Sequence, residues 1–352
     1  MKTQYYNAVT QKENGTKLAG QVLRAGGLVA FPTETVYGLG ADGLNEEAVL
    51  RIFEAKGRPG DNPLILHVAR KSDAKDLWTR VPEKARQLMD AFWPGPLTLV
   101  YDRAACVPDA VTAGLGTVAV RMPSHKTALA LLRAAGVPVA APSANLSGKP
   151  SPTTAAHVKR DLDGKIDVIL DGGPCEVGVE STVLSLLGQP TILRPGGITR
   201  EMIEAVIGAV ALSPAILSPL KEGEAAASPG MKYKHYAPQA EVRIAPPGSP
   251  RAIASSICAA YDVAGRAGKR CVIFATEQTR GFYCNREYAI IGDRKNPSTL
   301  CANLFAALRS YDDGAADLIL CEPLDESDMG LAYMNRLLRA AGFAVLQPGV
   351  PL

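Results

Sequence analysis

Two cations and several groups of hydroxyls and amides stand out in this chain for what their spacing could do. Lys56-Gly57-Arg58 puts a compact ammonium and a forked guanidinium two residues apart, and the stiff loop Pro59-Gly60-Asp61-Asn62-Pro63 follows. Held together at a helix end, such a pair suits a polyphosphate tail. Read alone, it equally suits a helix C-terminus whose dipole it complements. Thr33, Glu34, Thr35 and Tyr37 place four hydrogen-bonding side chains in five residues, before Gly38 and Gly40 free the backbone. Ser143-Ala144-Asn145, with Ser147, Gly148 and Ser151, lies between an apolar run and a helix. There, hydroxyls and free backbone N–H groups can meet a phosphate or a ribose, although a serine-rich capping loop would look the same.

Thr117 and Arg121 stand at the two ends of one short run and share a face by the period of two. Arg121 could hold a carboxylate through a bidentate pair or make a structural salt bridge. Ser181-Thr182 and Arg194-Pro195-Gly196-Gly197 sit at strand ends and invite the same comparison. His67 is flanked by Leu66 and Val68, a setting more usual for a satisfied core histidine than for a base. The four histidines show no metal-ligand spacing, and no G-x-S-x-G elbow or Cys/His pair stands out. The chain thus offers cations and hydroxyls but no evident covalent nucleophile.

Such groups need rigid elements to position them, and the apolar pattern supplies these. The run 28–31, entered from Gly26-Gly27 and ended by Pro32, reads as a buried strand. Asn45 caps a helix whose first acids, Glu46 and Glu47, face the positive end of its dipole. Val49, Ile52, Phe53 and Lys56 share its buried face, and Gly57 stops it before a strand over 64–68. Helices are expected over 14–25, 72–79 and 83–92, and strands over 97–101, 117–121 and 137–141, with a helix capped by Ser124 before the last. The loop 142–152 leads to a helix capped by Thr153 or Thr154, then to strands over 166–170, 181–187 and 191–194 and a helix capped by Thr199. Several neighbouring strands lack an intervening helix. That points to an α/β fold (α+β-like) on a mixed, twisted sheet rather than a simple parallel one.

Residues 211–240, rich in proline, small residues and charges, read as a linker between a domain over 1–210 and a second over 241–352. The second shows regular strand–helix alternation, as in a small Rossmann-like sheet, but no G-x-G-x-x-G turn that would mark a dinucleotide site. At 352 residues the chain has room for both cores. A net charge of +3 argues against wholesale nucleic-acid coating. Seven scattered cysteines without a CxxC pair, and no long apolar run, suggest free thiols in a soluble cytoplasmic protein with no membrane contact.

Taken in order, Pro32-Thr33-Glu34-Thr35-Val36-Tyr37-Gly38-Leu39, Lys56-x-Arg58-Pro59 with Asn62-Pro63-Leu64, Thr117-Val118-Ala119-Val120-Arg121 and Ser143-x-Asn145-x-Ser147-Gly148 resemble the YrdC-type L-threonylcarbamoyladenylate synthases. The resemblance covers roughly residues 10–205, and the phrase 229–238 with the second domain is similar to the long, two-domain form. It implies a YrdC-type mixed sheet and synthesis of threonylcarbamoyl-AMP from L-threonine, bicarbonate or carbon dioxide and ATP, releasing pyrophosphate. The product would feed the tRNA threonylcarbamoyl transferase machinery, with a weak tRNA contact allowed. Such chemistry needs positioning and charge stabilisation rather than a nucleophile.

By the same resemblance, Lys56 and Arg58 are the catalytic cations on the ATP phosphates. Asn62, Thr117, Ser143, Asn145, Ser151 and Arg194 join Arg58 on the nucleotide, and Tyr236 would cover it from the linker as a lid. Thr35, His67, Arg121 and Ser181 would hold L-threonine, Arg121 through its carboxylate. Magnesium would arrive on ATP, near Ser143 and Asn145, with no side chain assigned to it. The rival reading is a non-catalytic double-stranded-RNA or tRNA-binding module that uses Lys56 and Arg58 on backbone phosphates.

Overall fold

In the computed structural model, residues 2–8, 10, 12–218 and 236–346 are described. Of the stretch read as linker and lid, 219–235 lies outside them, most of the phrase 229–238 included. The chain divides into two compact units, Met1–Ser147 with Ser151–Tyr233, and Gly148–Pro150 with Lys234–Leu352.

Eleven short strands build the sheet of the first unit: β1 (Gln4–Asn7), β2 (Val29–Phe31), β3 (Gly38–Asp42), β4 (Ile65–His67), β5 (Leu97–Asp102), β6 (Thr117–Arg121), β7 (Val139–Ala140), β8 (Val168–Asp171), β9 (Thr182–Ser185), β10 (Thr191–Arg194) and β11 (Ala211–Leu212). They lie in the order β1-β8-β2-β3-β7-β4-β6-β5-β9-β10-β11, with parallel and antiparallel neighbours mixed. This is the mixed sheet expected from strands that follow one another without helices. Register then does the positioning. His67 of β4 pairs with Arg121 of β6, Thr98 of β5 pairs with the other side of Arg121, and Leu97 pairs with Thr182 of β9. Four strands therefore carry His67, Arg121, Thr98 and the Ser181-Thr182 step in adjacent rows.

Local chemistry explains the element that presents Lys56. The Asn45 side chain accepts from the Ala48 amide at 3.2 Å and caps helix Glu46–Lys56. Ala48, Val49, Ile52, Phe53 and Lys56 form its buried face, and Gly57 ends it in the left-handed conformation at φ 58°. Helices Lys12–Arg24 and Lys126–Ala135 cover the β2, β7 and β8 region, where Ala19, Leu23, Val29, Phe31, Leu131 and Val139 pack together.

Several local expectations change. Gly38 and Gly40 belong to strand β3, and Gly40 is needed for closeness, not looseness: a Cβ on it would lie 2.8 Å from the Val139 side chain and 3.0 Å from Phe31. The Lys126–Ala135 helix is capped by the His125 ring, which accepts from the Thr127 amide at 3.2 Å, and not by Ser124. Residues 71–76 make a 3₁₀ turn in place of a full helix. The start of the stretch read as a linker is folded, because Ala211 and Leu212 extend the sheet beside β10 and a 3₁₀ turn Pro214–Ile216 follows. Strand β1 went unread. Its alternation is weak, since three of its four residues are exposed at the sheet edge.

The second unit is a four-stranded, all-parallel sheet of β12 (Glu241–Ile244), β13 (Cys271–Thr276), β14 (Tyr288–Gly292) and β15 (Leu318–Cys321) in the order β12-β15-β13-β14. Helices Pro250–Arg266, Pro297–Ser310 and Asp328–Ala340 accompany it. This matches the small Rossmann-like pattern read from the sequence. No helix of the described residues is long and apolar enough to cross a membrane.

Close helix contact yields a test of the first unit. A Cβ on Gly20 would fall 2.7 Å from the carbonyl carbon and 2.9 Å from the oxygen of Ala134, which are backbone atoms that cannot swing aside. Gly20→Ala is expected to cost about 1–3 kcal/mol by overpacking. Thermal denaturation should show a melting point lowered by several degrees, and an unchanged one would refute the contact.

Candidate active site

The carboxylate-binding candidate is buried. Arg121 is 3% exposed and reaches Thr35 Oγ1 from Nη1 at 2.9 Å and the Gly95 carbonyl from Nε at 3.3 Å. Its Nη2 stands 2.7 Å from Glu34 Oε1, an ion pair sealed from water but without hydrogen-bond alignment. Burial pulls the Glu34 carboxyl upward, but the Arg121 charge and contact outweigh it and hold the group below its ordinary value. Thr33 orders this turn by donating to the Val36 carbonyl at 2.6 Å and contacting Thr35 Oγ1 at 2.8 Å.

His67 is 4% exposed and meets Phe31 edge-on, with ring centroids 6.1 Å apart. Its Nδ1 donates to the Ile65 carbonyl at 3.1 Å. Burial first, and the Arg121 charge second, push its pKa down to about 3, so the imidazole is neutral. These are the surroundings of a core histidine.

Ser181 forms the neighbouring cluster. Its Oγ lies 2.8 Å from Thr98 Oγ1 and accepts from Arg194 Nη2 at 3.2 Å, while Arg194 Nε donates to the Ser181 carbonyl at 3.1 Å. The Pro195-Gly196 turn comes so near that a Cβ on Gly196 would lie 2.3 Å from the Thr182 nitrogen. Only glycine permits that approach, which explains why a Pro-Gly-Gly run follows Arg194. Ser151, fully buried, bonds the Glu180 carboxylate at 2.5 Å.

Lys56 ties the first motif to the second. Its buried ammonium donates to the Ser143 and Asn145 carbonyls, each at 2.5 Å, and the Ser147 amide donates back to the Lys56 carbonyl at 3.0 Å. Ser143 Oγ donates to Asn145 Oδ1 at 2.6 Å. The two constellations are thus one structure, with the helix end clamping the serine–asparagine loop. Arg58 donates from Nη2 to the Asn62 carbonyl at 3.3 Å, with its guanidinium 6.0 Å from the Phe53 ring. The Asn62 side chain is fully buried, and neither its nitrogen nor its oxygen has a hydrogen-bond partner. A buried amide left with both ends open costs stability.

Thr117 begins β6 opposite Asp102, four residues or about 13 Å of strand from Arg121. Tyr236 belongs to the second unit, where it is 5% exposed and packs on Phe305 with ring centroids 5.0 Å apart. Sequence reasoning named Glu34 only as one polar side chain of its turn and assigned nothing to Thr98 or Glu180. Glu34 had a signal, an acid between two threonines just past a buried strand. Thr98 had none, being one polar residue in an apolar strand.

A mixed α/β sheet with a buried arginine at its centre and a lysine-clamped serine–asparagine loop defines an enzyme of the YrdC class. The chain belongs to the Sua5/YciO/YrdC family. The model described as Telomere recombination matches residues 21–196, and that described as Threonylcarbamoyl-AMP synthase, C-terminal domain, matches residues 198–342. A relative named threonylcarbamoyl-AMP synthase from Bacillus subtilis is 52% identical over 334 residues, covering 94% of this chain and 93% of its own. Another of that name from Pyrococcus abyssi is 47% identical, covering 94% and 95%. The crystal structure of P. abyssi Sua5 complexed with L-threonine matches 98% of both chains with a TM-score of 0.89 at 44% identity.

The depressed His67 pKa carries a stability consequence. The unfolded chain takes a proton at histidine below about pH 6.5. The folded site refuses it until about pH 3. Between those values the unfolded state binds more protons, so stability falls as pH falls, by at most about 1.4 kcal/mol per pH unit. His67→Asn should show a shallower loss of melting temperature between pH 6.5 and 4 than the parent protein. Identical slopes would mean that His67 is not held neutral.

Proposed function

We infer that this protein joins L-threonine, bicarbonate or carbon dioxide and ATP into threonylcarbamoyl-AMP, with release of pyrophosphate. It is an enzyme, and its relatives named threonylcarbamoyl-AMP synthase span nearly the whole chain. The observation that carries the reading is the meeting, in one unit, of a sealed guanidinium and a lysine-clamped polar loop with an open buried amide beside it. The first suits an amino-acid carboxylate and the second a nucleotide triphosphate.

In this reading Arg121 and Thr35 hold the threonine carboxylate, Ser181 holds a further polar group of the amino acid, and neutral His67 shapes the pocket wall. Arg58 lies against the phosphates, Asn62 fills its open valences on the nucleotide, and Ser143, Asn145, Ser151, Arg194 and Thr117 line the rest of that site. Lys56 acts chiefly by holding the serine–asparagine loop, since its ammonium is already engaged by two carbonyls. The α-ammonium of threonine releases a proton to solvent, the free amine adds carbon dioxide and loses a second proton to give the carbamate, and the carbamate oxygen attacks the α-phosphorus as pyrophosphate leaves. Catalysis then comes from positioning and from cations facing the developing charge. Among the described residues no group of three or more His, Cys, Asp or Glu side chains could hold a metal ion. The neutral oxygens of Ser143 and Asn145 suit a magnesium ion carried in by the triphosphate. The adenylate is a mixed anhydride, so a carbamoyl transfer to an adenosine of tRNA is its expected fate.

Pyrophosphate release measured with ATP, magnesium, bicarbonate and L-threonine tests the reading, and release independent of threonine would overturn it. Arg58→Ala should lower the threonine-dependent rate about a hundredfold or more. Asn62→Ala separates stability from function. It removes a buried amide that bonds nothing, so melting should change by less than about 1 kcal/mol equivalent while ATP affinity falls. Unaltered ATP binding by this variant would detach Asn62 from the nucleotide.

A further inference from the structure

A carboxylate sealed from water needs several donors, and Glu34 lacks them. Its side chain is 7% exposed, and neither oxygen meets a protein donor in hydrogen-bond geometry. The Glu34 and Ser124 amides help keep it ionised without aligned bonds, and Arg121 Nη2, at 2.7 Å, is its ion-pair partner. That Nη2 is itself without an aligned acceptor. Both side chains are more than nine-tenths buried. A sealed ion pair with open acceptors on the anion and open donors on the cation is costly, because desolvation is incompletely offset. Such a cost persists where another molecule completes the bonding.

The molecule that completes it must offer an anion to Arg121 and a cation to Glu34, side by side. Charged atoms 2.7 Å apart correspond to groups joined through a single carbon, as the ammonium and carboxylate of an α-amino acid are. The other titratable groups near Glu34 do not compete for this role. His67 is held neutral, the His125 ring is pulled toward its neutral form by burial, and burial raises the Cys175 thiol. We propose that Glu34 binds the α-ammonium group of the amino-acid substrate while Arg121 takes its carboxylate. The pair thereby reads the zwitterion rather than the side chain, and rejects acids that lack the amine. This rests on the threonylcarbamoyl-AMP reading of the site and adds to it the residue that recognises the reacting nitrogen.

Calorimetric titration of the full-length protein tests it with two probes, L-threonine and the analogue in which a hydroxyl replaces the α-amine. The parent protein should bind L-threonine at least about tenfold more tightly than the hydroxy acid. Glu34→Gln should lose about tenfold or more toward L-threonine and change little toward the hydroxy acid. Equal loss for both probes would show that Glu34 merely positions Arg121, and would overturn the proposal. Equal affinity of the parent protein for the two probes would overturn it as well, and that comparison decides the matter even if the variant does not fold. Failure of a different kind is distinguishable: no binding of L-threonine and no threonine-dependent pyrophosphate release would overturn the functional reading itself, and this proposal with it.

Discussion

A guanidinium buried in the middle of a sheet has to be answered by an anion, and the arrangement of the first unit follows from how Arg121 is answered. Its β6 row places it between His67 and Thr98. The turn after β2 folds over to bring Glu34 and Thr35 onto it. Desolvating two charges is expensive, and their attraction repays it only with good geometry and further bonds. Here the geometry is close but the bonding incomplete. The neutral His67 follows first from its own burial and second from the Arg121 charge beside it.

The second organising contact is the Lys56 ammonium. A lysine at the buried end of a helix would be destabilising if left alone, and two backbone carbonyls of the serine–asparagine loop satisfy it. That bond has a functional corollary. In the proposed reading, Arg58 and the open Asn62 amide would face the nucleotide, while the Lys56 ammonium is engaged by two loop carbonyls.

Among its described residues the second unit carries a different buried polar cluster. There a buried carboxylate is bonded by its own chain: Glu322, 1% exposed, accepts from Thr276 at 3.0 Å and Tyr283 at 2.8 Å, and also from Thr279 and Arg294. A carboxylate satisfied by its own chain is structural cement. Set beside Glu34, it shows what a completed buried carboxylate looks like.

Much of this was legible in the residues. The Asn45 cap, the Gly57 stop, the apolar face that ends in Lys56 and the mixed succession of strands are local patterns. Local patterns survive in any fold that contains those elements. The same holds for the motif order that marks the family. Tertiary structure alone decided which polar groups meet. Gly40 looked like slack and is a close contact with Val139 and Phe31; Thr98 carried no signal and touches Ser181 across 83 residues of chain; Lys56 meets a loop 87 and 89 residues away. Glu34 and Arg121, also 87 residues apart, become partners only because register and one turn superimpose them. Sequence records short-range periodicity and capping, whereas the pairing of buried charges depends on strand order and side-chain reach, which no local pattern encodes.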